Sequence, residues 1–277
     1  MNRDSFGAHA AERPLRAWLL GMLVGLLTLV SAAQAAAGDL TTDTDAARTL
    51  RAYCAWRGAD YAPFHRWDRA AAEPVGFEPA LIGRVAKALN MAVVFVEPLG
   101  RMANPRIEML FEGRADVVIS TFSITPERTQ LVSFSSPYLT DGLGAMVRSN
   151  ASIHKLTELA TKRLFVVQDT TGEAWVRAHW PQAQLVTMIT TDEATAVANR
   201  QVDAYVNDRT PLVRLASGDR RVRVLPGYLT QEPWGIAVMQ YRSELLRQID
   251  LALGKLESSG ELAALRREWL GSQDAEP

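Results

Sequence analysis

Cysteine is nearly absent. Cys54 is the single one in 277 residues, which excludes an internal disulfide framework and a cysteine-rich zinc site. The four histidines include no pair at metal-ligand spacing, so no metal centre and no cofactor are expected. Neither sign of charge is in excess: 30 Lys+Arg stand against 31 Asp+Glu, a net −1. An electrostatically driven nucleic-acid binder would be basic, so that class is set aside. No Gly-x-Ser-x-Gly, no phosphate-binding glycine loop and no helical zinc motif occurs. Long apolar runs are missing as well; a helix needs roughly 20 such residues to span a bilayer. What remains is 48% hydrophobic, enough for a real core in one large domain or two small ones.

The N-terminus has the layout of an export signal. Arg13 and Arg16 precede an apolar run from Trp18 to Val30, followed by Ser31-Ala32-Ala33-Gln34-Ala35. A charged start, a short apolar stretch and a small-residue Ala-x-Ala site read as a secretory signal peptide over residues 1–35. Cleavage is expected after Ala35 or Ala37, with no Cys at the junction to carry a lipid. The mature protein is then expected outside the inner membrane.

After a polar linker (Gly38 to Asp45), short strand and helix patterns alternate. Strands are read at Thr49–Trp56, Ala92–Glu97 and Asp116–Ser120, and helices at Pro79–Leu89, Arg106–Glu112 and Pro126–Gln130. The second half repeats the scheme. Strands at Leu164–Gln168, Leu185–Met188 and Ala204–Asn207 alternate with helices at Glu173–His179, Asp192–Asn199 and Pro211–Ala216. A strand at Gly235–Met239 and amphipathic helices at Ser243–Ser258 and Glu261–Leu270 close the chain. Such alternation predicts an α/β architecture with mostly parallel sheets. Glu112–Ser120 and Asn199–Asn207 echo each other 87 residues apart, as two similar lobes would.

In open α/β sheets, ligands bind beyond the carboxyl ends of the strands. Three polar stretches fall there: Ser120 to Arg128, Gln168 to Glu173, and Asn207-Asp208. Thr125-Pro126-Glu127-Arg128 reads as a capped helix start, except that a cation opposes the helix dipole there. A bound carboxylate on Arg128, completed by Thr121 and Ser123, would resolve the conflict; so would a salt bridge. Asp208 reads either as a helix N-cap or as the acceptor of a ligand ammonium group. Thr170 and Thr171, at another helix entrance, are capping residues or further donors to the same carboxylate. Tyr61, Trp56 and Phe122 are aromatics able to line a pocket or fill a core.

Together these pieces resemble the family 3 bacterial extracellular solute-binding proteins, the amino-acid-binding components of ABC importers. The similarity runs from about Leu50 to Leu270. It rests on Tyr61-Ala62-Pro63-Phe64, Gly76-Phe77-Glu78, Gly113 to Ser120, Ile124-Thr125-Pro126-Glu127-Arg128, Phe134 to Tyr138, Val202-Asp203-Ala204, Asn207-Asp208 and Gly235 to Val238. The resemblance implies a type II periplasmic-binding fold of two doubly wound lobes. Residues 46–140 and 241–272 would form one lobe and residues 141–240 the other, with hinges near Leu139–Asp141 and Met239–Tyr241. It implies that Arg128 binds an α-carboxylate with Thr121, Ser123, Thr170 and Thr171, that Asp208 binds the α-ammonium, and that Tyr61 packs over the side chain. The family usually has Gly where this chain has Asp169, and the Trp56–Asp60 loop departs from its pattern.

The function expected on these grounds is capture of a polar amino acid or similar small zwitterion by a monomeric periplasmic protein, and its delivery to an inner-membrane ABC permease. Two rivals stand beside it. One is an enzyme on the same scaffold, resembling the periplasmic cyclohexadienyl dehydratases, with Glu173 as acid/base. The other is a sensing or partner-binding protein outside transport.

Overall fold

The computed structural model describes residues 48–54, 60–98, 105–188 and 191–271. The segment read as an export signal, the linker, Trp56 and most of its loop lie outside the described residues. No described helix is long and apolar enough to cross a membrane.

The chain opens with β1 (Thr49–Tyr53) and a small antiparallel sheet of β2 (Asp60–Tyr61), β3 (His65–Asp68) and β4 (Glu73–Val75). Then come α1 (Phe77–Ala88), β5 (Ala92–Phe95), α2 (Pro105–Phe111), β6 (Val117–Val118), α3 (Pro126–Thr129) and β7 (Val132–Phe134). A crossing strand, β8 (Leu139–Asp141), leads to β9 (Leu143–Arg148), β10 (Arg163–Phe165), α4 (Thr171–His179) and β11 (Gln184–Val186). This part continues with α5 (Glu193–Ala198), β12 (Ala204–Asp208), α6 (Arg209–Gly218) and β13 (Val222–Val224). A second crossing strand, β14 (Glu232–Trp234), returns the chain to β15 (Ala237–Met239), α7 (Ser243–Ser258) and α8 (Glu261–Leu270).

Two five-stranded sheets result, in the orders β5-β1-β6-β15-β7 and β11-β10-β12-β9-β13. In each, the central βαβ pairs are parallel, and the strands that arrive from the crossings run antiparallel. Period-2 alternation covers both faces of each sheet. Ala145, Val147, Ala204 and Val206 pack into one core of the second lobe, while Met146 and Tyr205 pack into the other. In the first lobe, Leu50, Val117 and Ile236 face α1, α7 and α8, while Tyr53, Val118 and Ala237 face α2. Burying each such Leu or Ile contributes roughly 1.5–3 kcal/mol.

The second crossing falls earlier than the sequence predicts. Met239 already pairs with Val132, and Ala237 with Phe134, so β15 is a strand of the first lobe. The hinge therefore runs through Glu232–Trp234, which ladders against β8 as Glu232↔Asp141 and Trp234↔Leu139. Residues 235–240 accordingly leave the second lobe. The echo read in the sequence has a physical basis. Arg51 N–H donates to Asp116 (3.0 Å), and Arg163 N–H to Asp203 (2.9 Å). The two guanidinium groups reach the carbonyls of Gly113 and Arg200 in the same way.

Between the crossing strands and the second lobe the backbones come very close. A Cβ at Gly142 would run into the Thr230 carbonyl, whereas one at Gly83, on the exposed face of α1, would meet nothing within 4 Å. Gly142→Ala is expected to cost about 1–3 kcal/mol as overpacking, and Gly83→Ala to gain about 0.5–1 kcal/mol from helix propensity. At about 2–4 °C per kcal/mol, thermal unfolding will show shifts of opposite sign. A silent Gly142→Ala would remove the close approach from the account of the hinge.

Candidate functional site

Between the lobes lies a cavity of about 390 Å³, a volume suited to a small molecule. Its first-lobe wall is built at the start of α3. Thr125 caps that helix, its Oγ accepting the Arg128 N–H (3.3 Å), and Pro126 occupies the first turn. Arg128 then folds back: Nη1 donates to the Ser123 carbonyl (2.9 Å), and the guanidinium sits 4.7 Å above the Phe122 ring. Arg106, at the start of α2, approaches the same ring at 6.0 Å, and its Nε donates to the Ser120 carbonyl (2.8 Å). Neither arginine has an ion-pair partner among the described residues. Burial first, and then the neighbouring Arg106, push the Arg128 guanidinium down to about 10; Glu232, Asp208 and Glu127 pull the other way. Two guanidinium groups with no anion between them are a standing electrostatic cost that a bound carboxylate relieves.

The second-lobe wall carries the opposite charge. Asp208 ends β12 directly before α6 but makes no capping hydrogen bond. Asp141, from the crossing strand, accepts the Thr210 N–H of that helix instead (3.1 Å). The Asp208 carboxyl is thereby left to the cavity, where its Oδ2 accepts the Tyr61 O–H from the other lobe (2.9 Å). Burial above all, then Asp141 and Glu232, push Asp208 up to about 8; the Tyr61 hydrogen bond and Arg106 oppose the shift.

Arg128, Asp208, Tyr61, Thr121, Ser123, Thr170 and Thr171 therefore converge on one cavity, as the sequence predicts. Several hydroxyls, however, are already committed. Ser123 Oγ (2.6 Å) and Thr171 Oγ1 (2.8 Å) both donate to Glu232 Oε2, and Thr230 donates to Glu232 Oε1 (3.0 Å). Thr170 donates to the Val167 carbonyl (2.6 Å) and caps α4. A hydroxyl has one proton, so in this arrangement Ser123, Thr170 and Thr171 do not offer theirs to a ligand carboxylate. Phe122 is fully buried and carries the two guanidinium groups instead of lining the cavity.

Arg106, Glu232 and His65 escaped the sequence reading. Arg106 carried a usable signal, since it follows Pro105 at a helix start and meets the same dipole conflict as Arg128. Cys54, His65 and Glu78 place their donor atoms within 4.8 Å of one another, the spacing of a possible metal site. There, however, Glu78 is already taken up by protein donors, and burial holds the Cys54 thiol well above its ordinary value. The cluster is a hydrogen-bonded core.

Residues 57–272 match the bacterial extracellular solute-binding proteins, family 3. The chain belongs to that family. The glutamine-binding protein GlnH of Bacillus subtilis is 30% identical over 173 residues, covering 62% of this chain and 63% of that protein, less than two thirds of its length. The L-cystine-binding protein TcyJ of Escherichia coli is 27% identical, covering 71% of this chain and 74% of its own. Among solved structures, an ancestral arginine-binding protein bound to glutamine is 30% identical with a TM-score of 0.70, over 81% of this chain and 98% of that one. An ancestral amino-acid-binding protein described as a precursor of cyclohexadienyl dehydratase is 29% identical with a TM-score of 0.70, over 80% and 95%.

The raised Asp208 sets a sign for stability against pH. A carboxyl protonated when folded and ionised when unfolded adds stability that is whole below about pH 4 and is lost as pH rises through about 8. Urea unfolding of the wild type and Asp208→Asn should give similar stabilities near pH 4 and a gap that widens in favour of Asp208→Asn as pH rises toward 8, because only the wild type loses the contribution. Parallel pH profiles would mean that the carboxyl is not held in its acid form.

Proposed function

We propose that this solute-binding protein captures a small α-amino acid in the interlobe cavity and delivers it to an ABC importer of the inner membrane. The observation that carries the reading is charge placement: unpaired guanidinium groups on one wall face a buried carboxyl on the other that has no capping task. A zwitterion pairs both, its carboxylate with Arg128 and its ammonium with Asp208, so that no charge is buried alone. Arg106 supplies a second cation to the same cavity and favours a side chain bearing oxygen. A ligand that touches both walls stabilises the closed arrangement over the open one, which is the population shift a binding protein presents to its permease. The relatives named for binding glutamine, cystine and arginine support an amino-acid ligand. The reading includes a monomer exported to the periplasm through the N-terminal signal.

The dehydratase-like enzyme is kept as a second reading because of the ancestral precursor among the structural relatives. Glu173 does not line the cavity itself, although it borders an adjoining groove that shares Arg128, Thr170 and Thr171 with it; what stands against the enzyme is the electrostatics of Glu173. The Asp169 N–H, then Arg177, outweigh burial and hold its carboxyl below the usual range, which ill suits a general acid.

Calorimetric titration of the mature protein with an amino-acid panel tests the proposal. Arg128→Ala should cost on the order of 3–5 kcal/mol of affinity while the fold survives. Unchanged affinity would take Arg128 out of the site. Asp208→Asn should lose amino-acid affinity but hardly change the weak binding of the corresponding deaminated acid. A loss within about twofold, roughly 0.4 kcal/mol, would leave Asp208 no part in ammonium binding.

The proton on Asp208 adds a linkage. An ammonium group binds the ionised carboxylate, so below about pH 8 binding must release that proton. Amino-acid affinity should therefore rise with pH and level off near 8. Titrations in buffers of different ionisation enthalpy will count the proton released; a count of zero below pH 7 would contradict the linkage.

A further inference from the structure

One acceptor at the cavity, a histidine ring nitrogen, makes no hydrogen bond among the described residues. Tyr61 and His65 are directly opposite in the β2–β3 ladder, and their rings stack with centroids 5.5 Å apart at 23°. His65 is only 5% exposed, yet it lines the cavity. Its Nδ1 turns inward to Glu78 Oε2 at 2.6 Å. The other Glu78 oxygen accepts the Thr121 N–H (2.5 Å) and the Tyr138 O–H. A carboxylate used as an acceptor by every group around it requires the proton of the neutral imidazole to sit on Nδ1. The ring's other nitrogen, Nε2, diverges from Nδ1 and makes no hydrogen bond among the described residues. The Tyr61 hydroxyl at Asp208 marks the ammonium end of the cavity, and the stacked His65 lies further along the same aromatic layer.

We propose that His65 is a specificity-determining residue of the cavity: its Nε2 accepts a hydrogen bond from an N–H or O–H on the ligand's side chain, and Glu78 is the positioning residue that fixes the tautomer. The assignment rests on the amino-acid reading and adds to it the side-chain chemistry. Arg106 only donates and Nε2 only accepts, so the two complement a side chain that presents both an oxygen and an N–H, as a primary amide does. A carboxylate side chain, which only accepts, is disfavoured at Nε2.

L-glutamine and L-glutamate, equal in length and differing in this one group, are the probes. Calorimetry at up to millimolar ligand gives the ratio of their affinities for wild type, His65→Asn, Glu78→Gln and Arg128→Ala. Asn places an amide N–H where Nδ1 was, so Glu78 keeps a donor and the fold is retained, but it offers nothing at Nε2. The preference for glutamine should fall about tenfold, equivalent to about 1.4 kcal/mol. Glu78→Gln should act without touching the ligand. Its carbonyl still serves Thr121 and Tyr138, while its NH2 donates to Nδ1 and drives the proton to Nε2. The ring becomes a donor, and the preference should move toward glutamate by at least as much. ¹⁵N spectra of the imidazole rings, assigned by loss of the His65 signal in His65→Asn, should show the Nδ1–H tautomer in the wild type and Nε2–H in Glu78→Gln, an outcome that mere destabilisation would not produce. If Arg128→Ala abolishes binding while the ratio stays unmoved in both other variants, or if the wild-type ring carries its proton on Nε2, the role of His65 is wrong and the amino-acid reading stands. If the wild type binds neither probe nor any other amino acid, both are wrong.

Discussion

A single buried carboxylate organises the site. Glu78 is 0% exposed, and a charge so placed is tolerated only when every lone pair it presents has a donor. The donors come from three parts of the fold. Thr121 N–H belongs to the loop that ends β6, Tyr138 lies next to the crossing strand β8, and His65 begins β3. Burial, and then Glu78 itself, hold the Tyr138 phenol well above its ordinary value, so it remains an O–H donor. Thr121 adopts a left-handed backbone (φ 43°) to aim its N–H, and this turn sends Phe122 into the core and Ser123 and Arg128 toward the cavity. Cavity loop, aromatic hairpin and hinge are thus positioned by the requirement to satisfy one charge.

A second buried carboxylate does comparable work at the hinge. Glu232, on a crossing strand, takes hydroxyl protons from Ser123 of the first lobe and Thr171 of the second. The lobes are therefore bridged by hydrogen bonds within the protein before any ligand contributes. Such contacts hold the two walls together without any help from a ligand. They also leave Arg128 and Arg106 as the groups with unmet demand, so the cavity's attraction for an anion is carried by the guanidinium groups more than by hydroxyls.

The long amphipathic helices were legible to the residue. Ser243–Ser258 and Glu261–Leu270 appear as read, because their apolar positions repeat over several turns. Family and fold were legible too, from the order of short motifs. Val117–Val118 fell within the strand read at Asp116–Ser120, but a three-residue strand such as Glu232–Trp234 was not read, since periodicity needs more residues than it contains. Among the site residues, Arg128 and Asp208 were recognisable because each breaks or duplicates a helix-terminal role. For Asp208 the ambiguity between cap and ligand group needed the structure, which hands the capping to Asp141, 67 positions earlier in the chain. Ser123, Thr170 and Thr171 line the cavity, but where a hydroxyl directs its hydrogen bond depends on partners such as Glu232 that local sequence does not reveal.

The two lobes share a frame and differ in what they mount on it. At the amino ends of their central strands they use one device, an arginine whose N–H is held by an aspartate of the neighbouring strand: Arg51 with Asp116, Arg163 with Asp203. At the carboxyl ends they diverge in sign, the first lobe presenting Arg106 and Arg128 and the second Asp208. The clamps can stay alike because they serve only strand registry, far along the strand from the cavity. The opposite ends carry no such duty and are free to differ in the groups they present. Asp208 held in its acid form leaves the two walls without a strong mutual attraction, and the direct contact between them is the hydrogen bond from Tyr61 to Asp208.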